Sequence, residues 1–462
     1  MFKLLPAILA VVAGPAAAQQ LTPAETGRID QLVTSTLAST GVPSAEIAVV
    51  HNGRLVLNKA YGKAGEGLAA RPDLPYQIAS NSKQFTAMAL LLLRDEGKLS
   101  LDDHVSKYIP GISDGDRITI RQLLSHTAGL QDFWPQDYMF ADMTVPTTPQ
   151  HIVDKWAKRP LDFAPGDRWQ YSNTGYVVAG MIAEKVSGEP LLTFLGQRIF
   201  GPLGMHPLDQ DDTNRPGFPS GYHRYALGPV RVAQPPARGW LYAAGELSMT
   251  AADLARWDIA RINRAVIPEH DWAEQETPVL RNDGRTNGYG LGVFNHYDNE
   301  RHVIDHGGEA VGFLTANAVY PDTHDAIIVF TNADFSGATG TITQGIEKIL
   351  LDSPEPMLSG EGDRLTDVGA ILAGLVRGVP DRTKLTANLN GYLNATVLGD
   401  YQSSLAPLGQ PTAITLNRPP RLRGGFVNRN YALHHAGKTL SLVTYAEPGP
   451  NGRFEQFMIM PE

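Results

Sequence analysis

The 462-residue chain contains no cysteine. That absence excludes disulfides, thiolate catalysis and cysteine-ligated metals, and it suits an exported protein that needs no oxidation to fold. Positive charge is also short: 39 Lys and Arg stand against 48 Asp and Glu, a net charge of −9, and the basic residues are scattered. No nucleic-acid partner is expected, because such affinity rests on clustered Lys and Arg neutralising phosphates. No stretch beyond the first twenty residues is apolar for long enough to span a bilayer. His-Glu-x-x-His does not occur, and His434-His435 has no partner at ligand spacing, so neither a metal nor another cofactor is expected. There is no internal repeat and no low-complexity tract.

What is present begins with "MFKLLPAILAVVAGPAAAQQ". Lys3, a short apolar run and Ala16-Ala17-Ala18 have the form of a secretory signal peptide over residues 1–18, predicting a periplasmic or secreted protein. The run is too short to serve comfortably as a membrane anchor. Apolar residues make up 42% of the chain and charged ones 19%, enough for a large core. Residues 22–39 place Ile29, Leu32, Val33, Thr36 and Leu37 at helical spacing. "AEIAVVHNGRLVLNKAYG" reads as a hairpin turning at His51-Asn52-Gly53. Residues 80–270 read as helices separated by Pro/Gly-rich loops. Strands return at 289–296, 301–308, 312–320 and 326–332, followed by a helix at 335–351.

Strands at both ends with helices between predict an α/β (α+β) domain over 19–352. Its antiparallel sheet would be built from both chain ends and flanked by helices. "SPEPMLSGEGD" (353–363) reads as a linker. Residues 364–462 read as helices at 364–378 and 382–407 followed by three or four alternating strands. This would be a small α+β domain whose element order is that of NTF2- or cystatin-like domains.

The chemistry-bearing stretch is "QIASNSKQFTAMALLLLRDEG" (77–97). Ser80 and Lys83 are three apart where a long apolar helix begins, so their side chains share a face. Two readings compete: Ser80 as a helix cap beside a solvated lysine, or Ser80 as a nucleophile with Lys83, desolvated, as its base. "WQYSNTGY" holds Tyr171 and Asn173, either a Tyr-x-Asn pair at the site or an Asn-Thr-Gly turn among packing tyrosines. "DHGGEAVGF" puts His306, Gly307 and Gly308 in a strand. Paired glycines there ask for close approach of a ligand backbone, or for a β-bulge.

Taken in order, Ser-x-x-Lys, Tyr-x-Asn and His-x-Gly resemble the serine β-lactamase-like superfamily, on the branch of class C β-lactamases, D,D-peptidases, D-aminopeptidases and esterases. "ITIRQLLSHTAGL", "AAGELSMTAADLARW" and "GYGLGVF" support the resemblance, which covers roughly residues 22 to 350. It implies a serine hydrolase that forms an acyl-enzyme at Ser80, with Lys83 and Tyr171 handling the proton. Lys83 would lower the tyrosine's pKa, or would itself be the base. Asn173 would hold Lys83 and the substrate amide, and backbone N–H groups of Ser80 and near Glu309 would form the oxyanion hole beyond Gly308. The departure is His306, where β-lactamases carry the lysine of Lys-Thr-Gly. A histidine titrating near 6.5 would anchor a carboxylate only when protonated.

The expected partner is a small molecule or peptide, including a D-residue peptide or cell-wall fragment. The alternatives are a penicillin- or peptidoglycan-recognising protein of slow turnover, or a true β-lactamase. The aromatic cluster at 131–143 would form a lid or a pocket wall, and the long loop at 216–240 would border the cleft.

Overall fold

The computed structural model describes residues 20–136, 138–298, 301–351 and 364–461. The expected signal peptide and the expected linker lie outside the described residues. The chain forms two compact units, Met1–Ile349 and Leu350–Glu462.

In the first unit, α1 spans Pro23–Thr40. Thr22 and Glu25 form a capping box, Pro23 occupies the first turn, and Gly41 closes the helix at φ 77°. Each feature satisfies or omits an otherwise orphaned backbone group. Strands β1 (Ser44–His51) and β2 (Arg54–Gly65) follow, turning through Asn52 and Gly53, both at positive φ. That turn matches the twist of the flanking strands. A two-residue β3 (Leu68–Ala69) edges the sheet.

The remaining strands come from the far end of the unit: β4 (Phe294–Asp298), β5 (Arg301–Ala310), β6 (Phe313–Tyr320) and β7 (Asp325–Thr331). The seven strands are ordered β3-β2-β1-β7-β6-β5-β4. The two ends of the first unit therefore meet at β1 and β7, antiparallel, with Ile47 opposite Val329. Both strands are Ala/Val/Ile-rich and buried on both faces, as central strands covered by helices must be.

Helix α2 (Lys83–Asp95) is buried nearly all round, as a core helix should be. It packs against α3 (Asn173–Ser187), while α4 (Ala251–Ile262) lies on β1 and β7 and α5 (Ala338–Leu350) closes the unit.

One expected strand is shorter than its pattern. Residues 289–293 leave the ladder, and β4 begins at Phe294. The reason lies in Gly290 and Gly292, which dock on backbone: a Cβ on the first would stand 2.2 Å from the Gln275 carbonyl, and on the second 2.8 Å from the Lys83 carbonyl. The segment wraps the first turn of α2 instead of pairing.

The second unit packs α6 (Leu365–Val376), α7 (Ala387–Tyr392) and α8 (Ala395–Leu405) with β8 (Ala413–Arg423), β9 (Phe426–His435), β10 (Lys438–Ala446) and β11 (Phe454–Pro461). The four strands form an antiparallel meander in chain order. Leu440 and Leu442 of β10 face a core shared with Ile371, Leu375 and Phe457. The helix expected over 382–407 is broken in two, because Asn394 turns to accept the Val397 N–H and caps a new helix.

Candidate active site

Ser80 sits in a single tight turn, Ala79–Ser82, that runs directly into α2. Ala79 has φ 48°, a left-handed conformation that costs a residue with a Cβ about 1–3 kcal/mol. Neighbours hold it there. Asn81 Nδ2 donates to Thr315 Oγ1 (2.8 Å), Thr315 Oγ1 donates to the Ile78 carbonyl (3.1 Å), and the Leu247 N–H donates to Ser82 Oγ (3.2 Å). Ser80 is therefore not a helix cap, and its Oγ points to Lys83.

Lys83 is 0% exposed. Its Nζ donates to Ser80 Oγ (2.9 Å), Asn173 Oδ1 (2.8 Å) and the Ala244 carbonyl (2.7 Å). The solvated-lysine reading is thereby excluded. Burial pulls its pKa down to about 7, against the opposing pull of Asp132. The geometry decides what happens on deprotonation. Asn173 Oδ1 and the Ala244 carbonyl can only accept, so they take the two remaining N–H groups. The lone pair is left facing Ser80 Oγ.

Tyr171 closes the other side, with its ring centroid 4.8 Å from Lys83 Nζ and its hydroxyl hydrogen-bonded to Ser80. The expectation that Lys83 lowers the tyrosine's pKa is not met. Burial pushes it well up, and the Ser80 hydrogen bond offsets only part of that. Tyr171 is a phenol here, a proton donor.

Asn173 opens α3, where Ser172 caps the helix by accepting the Gly175 N–H. Two residues to which the sequence assigns no role adjoin this pair: His126, buried behind it, and Asp132, on the cavity wall beside it. The His126 ring is 4.2 Å from that of Tyr171, and its Nδ1 accepts the Ser172 N–H at 3.1 Å. Burial keeps it neutral. His126 belongs to the quoted "SHTAGL", but nothing in its spacing points at Tyr171. Asp132 belongs to the aromatic stretch at 131–143, and nothing in its spacing points at Asn173.

His306 on β5 is buried. Its Nδ1 donates to the Gly307 carbonyl (2.5 Å), and its Nε2 faces the Tyr289 hydroxyl (3.0 Å), which donates to it. Burial and the nearby Lys83 push its pKa down to about 4, not the 6.5 expected from sequence. The position is neutral across the working range of most enzymes.

The paired glycines mark no bulge, since β5 pairs with β6 in unbroken register from Ile304 to Ala310. A Cβ on Gly308 would stand 2.1 Å from the Ile78 carbonyl and 2.2 Å from Thr315 Oγ1. The strand is pressed against the turn that carries Ser80. A Cβ on Gly307 would meet nothing closer than the Thr315 carbonyl at 3.7 Å. Gly308→Ala is therefore expected to lower thermal stability and cut activity, overpacking of this kind costing about 1–3 kcal/mol. Gly307→Ala should keep the parental melting temperature. Equal melting temperatures for the two variants would show that the turn yields.

These residues meet in a cavity of about 750 Å³ whose wall includes Ser80, Tyr171, Asn173, His306, Gly308 and the exposed Glu309. Trp134 and Phe294 supply apolar wall. The aromatic stretch divides its duties: Trp134 faces the cavity, while Phe133 and Phe140 pack on Trp240. No residue of 216–240 lines the cavity. That loop is drawn to the β5–β6 turn instead, where Gly221 and Gly312 touch backbone to backbone and the Tyr222 N–H reaches the Gly312 carbonyl.

The family model described as Beta-lactamase matches residues 29–346. The chain belongs to the beta-lactamase family. This membership places it among serine hydrolases. Within the family, the chain is similar to Protein flp of Staphylococcus aureus (strain N315), 27% identical over 66% of this chain and 62% of that protein. It thus spans less than two thirds of that relative. Penicillin-binding protein 4* of Bacillus subtilis (strain 168) is 29% identical over 59% of this chain and 64% of its own. Among solved structures, a D-stereospecific amidohydrolase from Streptomyces sp. is 29% identical with a TM-score of 0.61, covering 71% of this chain and 99% of that one. The octameric penicillin-binding protein homologue from Pyrococcus abyssi, 20% identical with a TM-score of 0.61 over 94% of this chain and 99% of its own, shares the fold.

Proposed function

We propose that the protein is an exported serine hydrolase that forms an acyl-enzyme at Ser80 on esters or amides, including amides of D-amino acids. The observation carrying this reading is the buried Lys83, whose two obligate acceptors leave its lone pair on the side of Ser80 Oγ. Ser80 Oγ attacks the substrate carbonyl while its proton passes to neutral Lys83. Backbone N–H groups of Ser80 and of β5 near Glu309 take the developing oxyanion, where one donor is worth about 10²–10³ in rate. The protonated Lys83–Tyr171 pair returns a proton to the departing alkoxide or amine. Water, deprotonated by the same pair, cleaves the acyl ester and restores Ser80. Export rests on the form of residues 1–18. Among the described residues no helix is long and apolar enough to cross a membrane.

The substrate class follows from the wall. His306 offers a carboxylate no fixed positive charge, and the other ionisable residues lining the cavity are the acids Asp132, Glu309 and Asp334, besides Tyr171. Neutral or amine-bearing acyl groups are thus preferred over β-lactams, whose carboxylate needs a cation. Similarity to the Streptomyces D-stereospecific amidohydrolase supports D-aminoacyl amides. Similarity to penicillin-binding protein 4* supports a second reading, a penicillin-recognising protein that acylates and scarcely turns over.

One panel separates them: a p-nitrophenyl ester, D- and L-aminoacyl p-nitroanilides, and nitrocefin. Release of p-nitrophenol should continue past one equivalent of enzyme, with nitrocefin the poorest substrate. The rate on a carboxylate-bearing ester relative to a neutral one should stay flat between about pH 5 and 8, because His306 is neutral throughout that range. A burst that stops at one equivalent supports the binding protein, and nitrocefin as the best substrate supports a β-lactamase.

A further inference from the structure

Asp132 stands at the rim of the proton-handling group and reacts with nothing. Its two carboxylate oxygens face three N–H donors. Oδ1 accepts from the backbone N–H groups of Asn173 (3.1 Å) and Trp134 (3.2 Å), and Oδ2 accepts from Asn173 Nδ2 (3.2 Å). Donors on both oxygens favour the ionised form, while burial pulls the carboxyl's pKa up from its usual value.

We infer that Asp132 is a positioning residue for the reaction: its carboxylate turns the Asn173 side chain so that the amide oxygen, not the amide NH2, meets Lys83 Nζ. The inference rests on the reading of Lys83 as the base and adds what keeps that base aimed. A primary amide has two nearly isosteric ends, and only its partners decide which way it lies. Turned the other way, Asn173 would present N–H to N–H at Lys83. The ammonium would then lose an acceptor, and on deprotonation the lone pair would be drawn to Asn173 and away from Ser80. Asp132 forbids that arrangement, because an ionised carboxylate cannot donate. The same oxygen that holds the Asn173 N–H also holds Trp134, so the base and the apolar wall share one anchor.

Asp132 also acts through charge. The groups around Lys83 are the Tyr171 ring at 4.8 Å, the Tyr176 ring at 5.4 Å, the buried histidines 126 and 306, and Asp132. Burial keeps both histidines and both phenols uncharged at neutral pH, so the Asp132 carboxylate is the charge that favours protonated Lys83.

The test is the pH dependence of kcat/KM on a neutral p-nitrophenyl ester, for the full chain and three variants, D132N, D132E and Lys83→Ala. The parent should lose activity as pH falls through about 7, where Lys83 takes up its proton. In D132N the charge that favours the protonated lysine is gone, so this limb should move to lower pH. The kcat should fall about 10²-fold from misalignment, with KM little changed. D132E restores the charge but displaces it by one methylene. Its limb should return to the parental position while kcat stays depressed. A limb unmoved in D132N, with Ser80 still labelled by a fluorophosphonate and the limb absent from the residual rate of Lys83→Ala, would overturn the role of Asp132 and leave the base assignment standing. If D132N does not fold, D132E decides alone, and a parental kcat there would overturn the proposal. A parental limb in Lys83→Ala would instead sink the assignment on which the proposal rests.

Discussion

Ser80→Ala is expected to remove ester hydrolysis while leaving the fold intact. The turn that carries Ser80 is held by Asn81, Ser82 and Thr315 through bonds that do not involve Ser80 Oγ. The serine hydroxyl itself meets Lys83 and Tyr171, both of which keep other contacts when it goes. Chemistry has no such reserve. Without Oγ the base has no nucleophile to serve, and the fall should be on the order of 10⁶-fold, the scale on which a serine hydrolase depends on its nucleophile. A fluorophosphonate probe should label the parent and leave the variant untouched, with unchanged circular dichroism. Labelling of the variant at the parental rate would place the nucleophile elsewhere.

Removing Lys83 should do nearly as much, and its pH behaviour identifies the base. Burial brings Lys83 to about 7 and pushes Tyr171 the other way. A base must be unprotonated to act, so parental kcat/KM should rise with pH through about 7 and then level. Lys83→Ala should lose about 10²–10⁴ in kcat, the usual worth of a positioned base, and the residual rate should lack this limb. Tyr171→Phe should also be slow, because the phenol donates to the leaving group, yet the limb near 7 should survive in it. If the limb vanishes in Tyr171→Phe and persists in Lys83→Ala, the two roles are exchanged.

Much of this was legible in the chain because period and spacing are local properties. α1 and its caps, the Asn52-Gly53 hairpin and the long runs of β1 and β7 follow from patterns a few residues wide. Ser80 with Lys83, Tyr171 with Asn173, and His306 were likewise visible, each as a short motif. What escaped depends on contacts between distant segments. Gly290 and Gly292 lie in a strand-like pattern, and only the backbone of Gln275 and Lys83 beside them explains why the ladder starts at Phe294. Gly308 reads as a possible bulge until Ile78 is seen against it. The ionisation of Lys83, Tyr171 and His306 is set by burial, a property of the assembled core. The importance of Asp132 emerges only when α3 brings Asn173 to it.

The pairing of β1 with β7 carries a consequence for the timing of synthesis. Ser80 is made early, but the strand that presses on its turn and the strand that completes the sheet are made near the end of the first unit. Contacts between such distant stretches must await the later segment, and chains that depend on them fold slowly. Through most of its emergence from the ribosome the polypeptide therefore carries a serine and a lysine without a working alignment. Hydrolytic power is withheld until β5, β6 and β7 have joined β1, so a chain cut short before them should be inert.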